Sequence, residues 1–135
     1  MKSFIYIFSV FFMILASCAT TDVSECGEMI CTQEFRMVTV RFSDESGRPV
    51  IVKNFSSKNM RTGRSTVQNN DLIDQGNYVL ASDADRKDLS ESGDIILVSA
   101  TNPKTNITKE AEFVVSGGLC ACHINKISGP DKISF

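Results

Sequence analysis

Tryptophan is absent from this 135-residue chain, and histidine occurs once, as His123. Beyond residue 18 the aromatic residues are five phenylalanines and Tyr78, enough for a core but poor material for a sugar-stacking platform. With a single histidine, a serine–histidine–aspartate site would have to use His123. No G-x-S-x-G elbow accompanies it. Neither a P-loop nor a G-x-G-x-x-G turn occurs, which removes the glycine-rich phosphate cradles. No basic patch stands out among 14 Lys and Arg set against 16 Asp and Glu, so nucleic acid is not an expected partner. These absences leave no catalytic constellation and no cofactor site. The expectation is a protein without enzymatic activity.

The chain also lacks an apolar run long enough to span a bilayer. Its one long run, Phe4 to Leu15, is interrupted by Ser9. As a helix it spans about 18 Å, against a hydrocarbon core of roughly 30 Å. Lys2 precedes it and small residues follow it, the layout of a secretory signal peptide. Leu15-Ala16-Ser17-Cys18 resembles the lipobox of bacterial lipoproteins: Leu, two small residues, then Cys. The resemblance implies cleavage before Cys18 and lipidation of that cysteine, which would anchor the protein to a membrane. Residue 19 is Ala and not Asp. By analogy with Gram-negative lipoproteins, this implies the outer membrane and not inner-membrane retention. Of the charged residues only Lys2 lies before position 18, so cleavage takes the formal charge from -2 to -3. The expected organisation is a signal peptide over 1–17, a lipidated tether over 18–25 and one domain over 26–135.

That domain reads as strands. In "FRMVTVRF", Val38, Val40 and Phe42 share one face, with Thr39 and Arg41 on the other. "SDESGRP" follows as a turn, and "VIVKNF" as a second strand. Residues 56–71 are polar and read as a long loop, with a short strand near Thr66-Val67. "NYVLAS" is a strand, and "DADRKDLSESGD" a charged connection in which Leu89 is the inward anchor. "DIILVSAT" is apolar and β-branched, suited to a central strand covered on both faces. "ITKEAEFVV" alternates, with Ile107, Ala111, Phe113 and Val115 on one face. Gly117-Gly118 breaks it, and "LCACHINKI" reads as the final strand. Short strands at roughly ten-residue spacing predict an all-β domain, a single antiparallel β-sandwich.

The stretch "VTVRFSDESGRPVIV" resembles the opening of transthyretin-like and carboxypeptidase-regulatory-like domains: a strand, a D-x-x-G-x-P-V turn, then a second strand. The tail "CHINKISGP" resembles the C-terminal strand of small exported lipoproteins. The resemblance implies an Ig-like or transthyretin-like sandwich and an export route. It carries no active-site residues.

Four cysteines remain beside Cys18: Cys26, Cys31, Cys120 and Cys122. An even set in an exported chain predicts two disulfides. Cys120 and Cys122 lie two apart, about 6–7 Å along one strand face, too far for bonded Cβ atoms near 3.8 Å. Cross-pairing between the start and the end of the domain follows. Antiparallel segments would join Cys26 to Cys122 and Cys31 to Cys120; parallel segments would exchange the partners. The antiparallel version is the one adopted. His123, on the same strand, reads as a partly exposed strand residue. Buried unpaired thiols are one competing reading, and a tetrahedral zinc set from the four thiolates, or with His123 replacing one, is another. Asp83, Asp85, Asp88, Glu91 and Asp94 crowd the acidic loop 83–94, where carboxylates could hold Ca²⁺. The expected function is therefore an envelope interaction or accessory module with a protein partner. The alternative is a ligand- or metal-binding lipoprotein using the cysteine cluster or that loop.

Overall fold

The computed structural model describes residues 26, 27, 29–66 and 72–135. The expected signal peptide, Cys18 and the expected tether lie outside the described residues. Among the described residues eight strands are present: β1 (Met37–Ser43), β2 (Lys53–Asn59), β3 (Leu72–Asp74), β4 (Asn77–Ser82), β5 (Asp94–Thr101), β6 (Thr108–Ser116), β7 (Asn125–Ser128) and β8 (Lys132–Ser134). They form two four-stranded sheets, in the order β3-β4-β1-β8 and β2-β5-β6-β7. The fold is an all-β sandwich, as the alternation predicts.

Strand β1 shows why. Val38, Val40 and Phe42 are buried while Met37, Thr39 and Arg41 face solvent, the period-two pattern of a half-buried strand. They meet Ile96, Val98 and Ala100 of β5 and Phe113 and Val115 of β6 in one core. Phe42 sits at its centre, fully buried, with the rings of Phe55, Tyr78 and Phe135 at 6.1, 5.5 and 5.9 Å. The Tyr78 hydroxyl ties the first sheet to the segment that enters β2. It accepts from the Val52 N–H at 2.9 Å and donates to the Val52 carbonyl at 3.4 Å. Tyr78→Phe strands that buried N–H, so a loss of about 1–3 kcal/mol is expected in denaturant unfolding. A loss below a few tenths would show that the tie carries no stability.

Several sequence expectations are corrected. The second strand runs over Lys53–Asn59, reaching into the expected loop, where the inward positions after Phe55 are polar. Ser57 donates to the Leu80 carbonyl at 2.6 Å, and Asn59 donates to Asp94 at 2.8 Å. Strand β5 is central, but only one face is sealed: Ile95 is 44% exposed. "LCACHINKI" is not one strand. Residues 119–123 turn and bend, β7 starts at Asn125, and a short β8 follows. That last strand pairs with β1 in parallel, so the sandwich is not wholly antiparallel. The charged connection contains a 3₁₀ helix, Asp83–Asp88, capped by Ser82 and Asp85, with Leu89 buried beyond it as expected.

Candidate functional site

Strands β1 and β5 run the length of the sandwich and give it two distinct ends. Seven residues of β1 cover about 20 Å. At one end lie the N-terminal arm, the 3₁₀ helix and the turn after β6. At the other lie the β1–β2 and β5–β6 loops and Phe135.

The first end is covalently braced. Cys26 bonds Cys120 and Cys31 bonds Cys122, with Cα separations of 5.1 and 5.3 Å. Start-to-end pairing holds, but the antiparallel version does not. Neither segment is a strand, so the register argument behind it has no ladder to act on. Gly117 and Gly118 allow the turn beneath the bridges: a Cβ on Gly117 would lie 2.5 Å from the Arg86 carbonyl oxygen, and Gly118 has φ near +110°. The Arg86 guanidinium donates to the carbonyls of Leu119, at 3.1 Å, and Ala121.

His123 belongs to this brace. It lies in a bend and not in a strand, with its side chain only 12% exposed. Its Nδ1 meets Asp83 Oδ2 at 2.7 Å and its Nε2 meets Thr32 Oγ1 at 2.9 Å. Asp83 also accepts from the Arg36 and Ile124 N–H groups, each at 2.8 Å. Burial raises the Asp83 carboxyl, but the Arg36 N–H, the His123 ring and the Ile124 N–H outweigh it and hold it below the ordinary carboxylate value. One carboxylate thus fastens the arm, the helix start and the residue before β7. Hydroxyl, imidazole and carboxylate stand in the order that activates a nucleophile. Here Asp83 also joins three chain segments through its two oxygens.

The other acidic residues of segment 83–94 disperse. Asp85 caps its own helix through the Ser82 N–H at 2.8 Å, and Asp88 pairs with Arg64 at 3.4 Å. Asp94, 4% exposed, accepts from Arg61 Nε at 2.6 Å, Asn59 Nδ2 at 2.8 Å and the Ser90 N–H at 3.1 Å. Among the described residues no three His, Cys, Asp or Glu side chains converge as a metal set. The four sulfurs of the zinc reading are bonded to one another.

The Arg61 hydrogen bonds lower the Asp94 carboxyl below its ordinary value, against an opposing effect of burial. Asp83 and Asp94 both hold folded values below the unfolded 3.8. The stability they contribute is present above pH about 4 and is lost as pH falls through their folded values. Asp85, raised by burial, opposes this with the reverse sign. The denaturant midpoint is expected to hold above pH about 4 and fall below it, with Asp94→Asn flattening that acid limb. A midpoint that rises on acidification would contradict the assignment.

The second end carries a cleft of about 850 Å³ lined by residues of 44–51 and 102–107 and by Phe135. Its apolar lining comprises Pro49, Val50, Pro103 and Phe135, with Ile51 and Ile107 60% and 50% exposed. Arg48, Lys104, Asp44 and Glu45 supply charge around it. Both loops are preformed. The Asp44 carboxylate accepts from Ser46 Oγ at 2.7 Å, the Arg48 N–H at 2.9 Å and Arg48 Nε at 2.8 Å. With the Ser46 hydrogen bond as the largest influence, its pKa is lowered to about 2. Across the cleft, Asn102 Oδ1 accepts from the Lys104 N–H at 2.9 Å, and Lys53 Nζ reaches Asn106 Oδ1 at 2.7 Å. The sequence marks both segments as turns. Their meeting around a concave surface depends on strand order, which no local pattern records.

The two bridges place the domain in an oxidising, non-cytosolic compartment. Among the described residues no helix is long and apolar enough to cross a membrane. Comparison with known protein families, with curated proteins and with solved structures finds no match.

Proposed function

We propose that this chain is a lipid-anchored protein of the cell envelope, most consistent with the outer membrane, that acts without catalysis as an interaction module. The lipobox-like Leu15-Ala16-Ser17-Cys18 and the oxidised cysteines support export and anchoring. The observation that carries the reading is polarity: the tether enters at the braced end, while the preformed loop cleft opens at the far end. A module fastened at one end presents its loops at the other, the usual place for recognition on a rigid sheet scaffold. Exposed Ile51 and Ile107 in a charged rim suit a protein partner, since interface cores combine apolar anchors with polar edges.

A photo-crosslinker at position 107 in living cells tests this. One discrete envelope adduct is expected, lost on Ile51→Asp, while palmitate labelling of the protein is unchanged. No adduct from either cleft loop, or turnover of a substrate by the purified protein, would overturn the reading.

A further inference from the structure

Ten large apolar residues are exposed among the described ones, and they are not spread evenly. Five belong to the braced end: Met29, Ile30, Phe35, Met37 and Leu119, with exposures from 41% to 100%. Ile51 and Ile107 sit at the cleft, and Met60, Ile95 and Ile127 accompany the second sheet. Met29 and Ile30 lie between Cys26 and Cys31, and Leu119 precedes Cys120, so all three belong to the bridged segments. Phe35 and Met37 flank Arg36, whose N–H is fixed by Asp83. At the same end Arg86 is bonded to carbonyls and His123 to Asp83 and Thr32, so these two side chains need no water partner.

We infer that the braced end rests on the lipid surface itself, with Met29, Ile30 and Leu119 entering the headgroup–acyl boundary. The inference rests on the anchored reading above and deepens it. Residues 19–25 connect Cys18 to Cys26, and the stretch between the two cysteines spans at most about 26–29 Å fully extended. That leash ends at the apolar end and nowhere else. Held so close, the exposed side chains meet lipid before any other surface. Interfacial apolar residues settle about 5–10 Å into that boundary. The domain thereby stands upright, with the cleft held away from the bilayer by about the 20 Å length of β1.

Because tryptophan is absent, one substitution adds one fluorophore of its kind. Full-length protein, processed in cells, would carry Ile30→Trp, Leu119→Trp or Ile107→Trp and be reconstituted into phosphatidylcholine vesicles containing brominated lipid. Emission from positions 30 and 119 is expected to shift to the blue and lose intensity to bromine. Emission from position 107 is expected to stay red-shifted and open to acrylamide. If all three stay open to acrylamide while the protein floats with vesicles, the anchor stands and the lipid-resting end is refuted. If positions 30 and 119 are shielded from acrylamide yet untouched by bromine, a protein covers that end and the inference is equally refuted. Protein that does not float at all refutes the anchored reading and the inference with it.

Discussion

Replacing all four bridged cysteines with alanine is expected to lower the stability of the domain by about 4–6 kcal/mol. The bridges close sequence separations of 94 and 91 residues. In the chain-entropy model the first closure of that length is worth about 4–5 kcal/mol. The second is worth less, about 2 kcal/mol, because the first has already brought its partners close. Measured gains usually fall below such sums, hence the range. A domain of this size holds about 5–15 kcal/mol in total, so the variant is expected to melt more than about 15 °C lower or to unfold. Pairwise variants test the connectivity. Cys26→Ala with Cys120→Ala leaves the Cys31–Cys122 bridge and no free thiol. Cys26→Ala with Cys122→Ala leaves Cys31 and Cys120, which are not partners, and two thiols should react. The opposite pattern would restore the antiparallel assignment.

The second large effect is expected at Phe42. Phe42→Ala removes a fully buried ring packed on Phe55, Tyr78 and Phe135, and should cost about 3–5 kcal/mol through lost transfer energy and the cavity left behind. Phe42→Leu keeps most of the volume and should cost less than half as much. Urea unfolding separates these outcomes. The midpoint should fall with an unchanged slope if only stability has changed. Equal losses for the two variants would mean that packing around Phe42 is not what holds the sheets together. Phe55→Ala should cost less, because Phe55 is only partly buried and lines the core edge.

The contrast between β1 and β2 shows where the sequence is readable. In β1 the inward residues are apolar, so alternation exposes the strand and its face. In β2 the inward residues beyond Phe55 are Ser57 and Asn59, buried to 1% and 2% exposure. Their partners, the Leu80 carbonyl and Asp94, lie 23 and 35 residues away. A pattern based on hydrophobicity records a loop there, because the compensation is a hydrogen bond to a distant element. The same reason hides the Asp83–His123 tie, 40 residues apart. The cysteines were readable as a start-to-end staple from parity and spacing alone. Which sulfur meets which depends on the turn that Gly117-Gly118 allows and Arg86 holds, and those contacts are tertiary. The cleft needs the strand order to exist at all.

In the proposed reading the brace and the anchor would make one mechanical unit: a short lipidated leash joined to a doubly cross-linked domain end. Intact mass spectrometry of the protein extracted from membranes, without reduction, tests that unit most directly. The account predicts a chain beginning at Cys18, heavier by its acyl groups and lighter by four hydrogens, with no thiol open to alkylation. A chain that begins at Met1, carries no lipid and alkylates at Cys26, Cys31, Cys120 and Cys122 would contradict it.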